Sequence, residues 1–112
     1  MTQEIIFISV AARRLGMHPQ TLRKYERIGL VRPSRTVGSM RVYSRAEISR
    51  LRMIKHLVDD LGVNLAGVQL LMSVADGIER IRPLMNDIEL DRPTRRRQLA
   101  RELDRIRRLL GL

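Results

Sequence analysis

The sequence contains no cysteine and no tryptophan, and Phe7, Tyr25 and Tyr43 are its only aromatic residues. Without cysteine there is no disulfide framework, no thiolate zinc site and no cysteine nucleophile, which suits a reducing, cytoplasmic setting. A core so poor in rings has to be built from Leu, Ile, Val and Met. His18 and His56 are the only imidazoles. A four-ligand metal site would therefore need carboxylates from scattered positions, and neither a metal nor a cofactor is expected. Catalytic signatures are missing as well: there is no Gly-rich phosphate loop, no paired acidic motif and no nucleophile beside a base, so enzymatic activity is not expected. Nor does any apolar run approach the roughly 20 residues that span a bilayer. The first residues lack the basic segment and apolar run of a signal peptide, so neither membrane insertion nor export is expected. Negative charge is scarce, with 12 Asp+Glu against 22 Lys+Arg and a formal net charge of +10.

What the chain does have is positive charge in two blocks. Residues 1–60 sum to +7, residues 61–90 to −2 and residues 91–112 to +5. Such a distribution points to a polyanionic partner. Nucleic acid is favoured over a membrane surface, because interfacial basic helices ordinarily carry bulky aromatics on their apolar face. A length of 112 residues is expected to hold one domain with an appended helix, without a separate catalytic or ligand-sensing domain.

Along the chain, Ile5-Ile6-Phe7-Ile8 predicts a short strand. Ser9 is placed as the N-cap of a first helix that ends at Gly16, and Pro19 as the first residue of a second helix closed by Gly29. Two helices joined by a short glycine-containing turn are the signature of a helix-turn-helix. In the second helix Leu22, Tyr25 and Ile28 share a packing face, which leaves Gln20, Thr21, Arg23, Lys24 and Arg27 to meet DNA. Arg and Lys suit phosphates or guanine, Gln suits adenine, and a Thr methyl suits thymine. The stretches Leu30-Val31-Arg32 and Arg41-Val42-Tyr43, around Pro33, Gly38 and Ser39, predict a hairpin wing whose Arg32, Arg35 and Arg41 lie along a phosphate backbone.

Ser44-Arg45-Ala46-Glu47 is a capping box that opens a third helix. Its core stripe is Ile48, Leu51, Ile54, Val58 and Leu61, and Gly62 stops it. Asn64 caps a fourth helix carrying Leu65, Val68, Leu71 and Met72, which ends near Asp76-Gly77 and pairs with the third. Ile78, Ile81, Met85 and Ile88 keep helical spacing, but a break or kink is expected at Pro83, because an interior proline costs roughly 3 kcal/mol. From Thr94 onward Leu99, Leu103, Ile106 and Leu110 follow a 4-3-4 heptad seam, and that helix wants a partner, best supplied by a second copy. The expected fold is therefore mainly α: a winged helix-turn-helix DNA-binding domain over residues 1–75, followed by a helix pair and a C-terminal dimerisation helix within a tail over residues 76–112.

The strings Val10-Ala11-Ala12, Gly16-Met17-His18-Pro19-Gln20-Thr21-Leu22-Arg23, Tyr25-Glu26, Gly29-Leu30-Val31, Pro33 and Arg41-Val42-Tyr43-Ser44 resemble the MerR family of winged helix-turn-helix regulators over about residues 7–75. Met17–Arg23, Arg35-Thr36 and Gly62-Val63-Asn64-Leu65-Ala66-Gly67-Val68 are similar to its heat-shock repressor branch, HspR, and the last segment is also similar to glutamine-synthetase repressors of the GlnR type. The resemblance implies a homodimer with an antiparallel C-terminal coiled coil, bound to inverted-repeat operators with arms similar to CTTGAG. It matches Thr21 and Arg23 to recognition-helix contacts, Tyr25 to a phosphate-contacting tyrosine, and Arg41 and Tyr43 to the wing motif. Lys24 stands where metal- and drug-sensing relatives often have a second tyrosine, and Ser39-Met40 where the repressor branch often has Gly and Arg. His18 is expected as an N-cap or turn residue that reaches a phosphate, and His56 as a surface position. The branch also implies repression of chaperone operons with the DnaK chaperone as co-repressor, so that this chain would need no ligand pocket.

Two other readings share these features. An excisionase-like architectural protein has the small winged fold but usually lacks a dimerising seam, and an adapter would bind through its basic tail. Arg105-Ile106-Arg107-Arg108-Leu109-Leu110-Gly111-Leu112 is a short apolar segment flanked by arginines, the kind of extended sequence that DnaK-type chaperones favour.

Overall fold

A computed structural model of the chain describes residues 5–85 and 93–112, which form two compact units, Met1–Val63 and Asn64–Leu112. The first unit opens with β1 (Ile6–Phe7), which passes directly into α1 (Ile8–Leu15). Because β1 holds Phe7 in extended geometry, Phe7 and not Ser9 is the N-cap, and it makes no side-chain capping bond. Gly16 ends α1 in the left-handed conformation at φ 63°, as its position after Leu15 predicts. Then α2 (Pro19–Arg27) begins with Pro19 in the first turn, where a missing N–H removes no helix bond.

The expected hairpin forms with a shifted first strand. Leu30 and Val31 are core residues outside any strand, and β2 is Ser34–Arg35, paired antiparallel with β3 (Arg41–Tyr43) through Ser34↔Val42 and Arg35↔Arg41. Pro33 has no N–H to give to a ladder, so pairing starts after it. On its other edge β3 pairs with β1, which completes a three-stranded sheet in the order β1-β3-β2.

The capping box at Ser44 and Glu47 is fully made and starts α3 (Arg45–Lys55). A π-helical turn, His56–Asp60, then replaces the end of the expected helix. This wide turn rotates the chain less per residue, so the three-and-four spacing loses register. Ile48, Leu51 and Ile54 are buried as expected, whereas Leu57 takes the next core place and Leu61 lies exposed.

In the second unit the Asn64 side chain accepts from the Gly67 N–H at 2.8 Å and caps α4 (Leu65–Met85). This helix neither ends at Gly77 nor breaks at Pro83. Pro83 is accommodated within the last described turn of α4. The expected division at residue 75 falls inside α4. Gly77 has a packing role: a Cβ there would sit 2.8 Å from Cγ1 of Ile106 on α5 (Pro93–Leu109). That close approach seats the two helices against each other, and the Arg80 Nε–Glu102 Oε2 ion pair at 2.9 Å joins them farther along. So α4 pairs with α5, and Ile106 is engaged within its own chain. Leu103 and Leu110 remain exposed, and α5 closes at Leu109, one residue short of the expected seam. Arg105–Leu109 is helical and not extended. Ile88 lies outside the described residues. Among the described residues, no helix is long and apolar enough to cross a membrane.

Candidate nucleic-acid interface

Residues on α2 sort by angle. At 100° per residue, Gln20, Arg23, Lys24 and Arg27 fall at i, i+3, i+4 and i+7 and form one stripe. Leu22 and Tyr25 occupy the opposite side and are buried. The sequence thus divides α2 into an anchored face and a polar, cationic one. Thr21 sits on the flank, half-buried. At the N-terminus His18 is the cap: its Nδ1 accepts the Gln20 N–H at 3.0 Å, which leaves Nε2 directed elsewhere as a donor. This bond satisfies one of the orphan N–H groups of the first turn and fixes Gln20 at the helix tip.

The wing is held by a residue that sequence reasoning left without a role. Glu26 of α2 accepts from Arg35 Nη2 of β2 at 3.0 Å through one carboxylate oxygen, and from Arg41 Nε of β3 through the other. One carboxylate therefore ties both wing strands to α2. Arg35 also donates to the Ser39 carbonyl at 3.2 Å across the hairpin turn. That turn is closed by Thr36 N–H to the Met40 carbonyl, by Ser39 N–H to the Thr36 carbonyl, both at 2.9 Å, and by Met40 N–H to Thr36 Oγ1 at 3.2 Å. Ser39 adopts φ 65°, a left-handed geometry suited to glycine. Behind the wing, Arg50 of α3 donates to the Leu30 carbonyl and holds the start of the connection.

The two tyrosines expected to reach DNA are core residues. Tyr43 is 0% exposed, and its hydroxyl has no hydrogen-bond partner among the described residues. Burial raises its pKa above the usual 10.0, with Glu26 adding to the effect. Tyr25 is 7% exposed, and burial, then Asp59, raises its pKa in the same direction. Each anchors an element: Tyr25 is buried on the inner face of α2, and Tyr43 is buried on β3, whose Arg41 meets Glu26. The structure brings His18, Gln20, Arg23, Lys24 and Arg27 onto exposed or half-exposed positions around α2, with Arg35 and Arg41 joined to that helix through Glu26. Glu26 escaped notice because it lies 9 and 15 residues from its partners, outside any periodicity. The Tyr25-Glu26 string was its one available signal.

Comparison with known proteins places this geometry. Residues 7–74 match the profile of the MerR HTH family of regulatory proteins, more than half of the chain. A Streptomyces coelicolor protein that carries the name heat shock protein HspR is 44% identical over 77 residues, which are 69% of this chain and 51% of that protein. The chain thus spans about half the length of that relative. The mercuric resistance operon regulatory protein of Bacillus cereus is 33% identical over 104 residues, 92% of this chain and 78% of that protein. In fold, the chain is similar to the crystal structure of HiNmlR, a MerR family regulator lacking the sensor domain, bound to promoter DNA. The TM-score is 0.60 with 19% identity, covering 97% of this chain and 80% of that one.

Proposed function

The chain belongs to the MerR family of helix-turn-helix regulatory proteins, and from that membership we propose that it is a dimeric repressor of chaperone genes, bound to an inverted-repeat operator with a DnaK-type chaperone as co-repressor. The observation that carries DNA binding is the outward stripe Gln20, Arg23, Lys24 and Arg27 on a helix whose other face is buried, with the wing tied beside it by Glu26. In this reading Gln20 and Thr21 at the helix tip meet base edges, while His18, Arg23, Lys24 and Arg27 contact bases or phosphates. Arg35 and Arg41 bring the wing to the backbone, and Tyr25 and Tyr43 hold the two elements in position. The heat-shock assignment is supported by the 44% identity to the Streptomyces protein named HspR.

Dimerisation is supported by apolar surface on the second unit. Ile78 and Met85 of α4 are 51% and 61% exposed, and Leu103 and Leu110 are each 48% exposed. A dimer bound to an inverted repeat would meet half-sites about one helical turn, roughly 34–36 Å, apart.

Fluorescence anisotropy on a CTTGAG inverted repeat and on a scrambled duplex, with and without DnaK, tests the proposal. Preference for the repeat that tightens with chaperone supports it. Equal binding to both duplexes, indifferent to chaperone, leaves a basic winged-helix architectural protein. If six or more phosphates are contacted, affinity falls about 10³-fold or more between 50 and 200 mM salt. A flat salt response would contradict the charged interface.

A further inference from the structure

The second unit has two unlike sides. Ile78 and Leu103 stand exposed on α4 and α5, and Arg80 and Arg105 follow each of them by two residues, about 200° around the helix. On the arginine side the helices enclose a cleft of about 440 Å³ lined by Arg80, Arg95, Gln98, Arg101, Glu102 and Arg105, with Leu84 as its only apolar wall. A second cleft of about 400 Å³ adjoins it, sharing Arg101 and Arg105 and adding Arg108. Among the described lining residues, Glu102 is the one carboxylate, engaged with Arg80 at 2.9 Å, while Arg108 is paired with Asp104 beside the second cleft.

We propose that this cleft binds a phosphate chain, the triphosphate of a nucleotide or an inorganic polyphosphate. The volume lies in the range of small-molecule sites. Guanidinium groups are planar forks that match phosphate oxygens in pairs, and a row of them recognises an extended anion better than a compact one. Arg101, Arg105 and Arg108 follow one another at i, i+4 and i+7 on one face and span about 10 Å along α5 at the helical rise, so one orthophosphate reaches only part of the row, whereas a chain of phosphates spans it. An acidic protein segment fits less well, because protein docking is anchored by apolar or aromatic side chains and this lining offers only Leu84 and, at its edge, Leu109. The local field agrees with an anion site: Glu102 is held below the usual carboxylate value first by its hydrogen bond from Arg80 and then by the nearby charges of Arg80, Arg105 and Arg101. The site stands independently of the operator-binding reading, and it departs from the expectation that the chain works without a ligand pocket.

Isothermal titration of the full chain at physiological ionic strength tests this, with tripolyphosphate, ATP, orthophosphate and a hexaglutamate peptide as titrants. Tripolyphosphate is expected to bind once per chain and at least about tenfold more tightly than orthophosphate. The exposed double variant Arg101→Ala/Arg105→Ala, checked for folding by circular dichroism, should weaken it about tenfold or more. The charge-matched Arg13→Ala/Arg52→Ala variant in the other unit should leave it within about twofold. Tighter binding of ATP than of tripolyphosphate assigns the site to a nucleotide, and equal binding assigns it to the phosphate chain alone. Unchanged affinity in Arg101→Ala/Arg105→Ala, equal loss in Arg13→Ala/Arg52→Ala, or tighter binding of hexaglutamate would overturn the proposal.

Discussion

The two units are stabilised in different ways. In the winged unit the structure rests on interior side chains: Leu22, Val31, Tyr43, Leu51 and Ile54 are almost wholly buried, and polar contacts such as the Glu26 clamp position surface residues around them. In the helical unit α5 buries no residue. It packs along α4, where Gly77 closely meets Ile106 and Arg80 pairs with Glu102, and apolar side chains stay exposed on both helices. A unit with so filled a core can turn the polar face of α2 outward, although Val37, Met40 and Leu61 remain exposed on its surface. One whose apolar residues are only half covered is suited to association, because exposed contiguous apolar surface is the usual mark of an interaction site.

The largest expected effect tests the self-sufficiency of the first unit. Leu51→Ala removes a fully buried side chain and should cost about 2–5 kcal/mol in denaturant unfolding. Leu103→Lys should change the stability of the isolated chain by no more than about 0.5 kcal/mol and yet dissociate the proposed dimer in analytical ultracentrifugation. Equal stability losses from the two would erase the contrast.

The clamp comes next. Glu26→Gln releases Arg35 and Arg41 and removes a negative charge, so affinity for scrambled duplex should rise while the preference for the operator falls about tenfold, since phosphate contacts position and only register-fixed contacts specify. A preference unchanged from wild type would mean that the wing holds its place without Glu26.

A smaller effect tests the helix contact. Gly77→Ala alone should destabilise by about 1 kcal/mol, overpacking against Ile106 outweighing the gain in helix propensity, whereas in an Ile106→Ala background the same change should stabilise by up to about 1 kcal/mol. Additive effects in thermal unfolding would show that the two residues do not meet.

The pH dependence should separate the units at opposite extremes. Tyr25 and Tyr43 have raised pKa values, so the neutral form is favoured on folding. Their contribution is fully present below 10.0 and is lost as pH rises through the raised values. Glu102 has a lowered pKa, so its smaller contribution is present above 4.5 and is lost as pH falls through the lowered value. Absorbance titration of the tyrosines should therefore coincide with alkaline unfolding of the winged unit. Glu102→Gln should flatten only the acid limb.

Much of this was legible in the sequence, because it depends on near neighbours along the chain. Gly16 and Gly29 at positive φ, Pro19 in a first helical turn, the Ser44–Glu47 capping box and the Asn64 cap are each set within four residues. The exposed stripe on α2 follows from helical period alone, and the two basic blocks follow from composition. Tertiary structure decided what depends on distant partners. Pairing of β1 with β3 moved the first cap from Ser9 to Phe7, the π-helical turn exchanged Val58 for Leu57 in the core, and Ile106 converted Gly77 from an expected helix end into a contact point. Folding buried Tyr43 and brought Glu26 onto two arginines 9 and 15 residues away. Local rules act through backbone geometry and the nearest hydrogen bonds, which sequence spacing encodes. Which side chains are excluded from water and which charges meet depends on how whole elements pack, and spacing carries no measure of that.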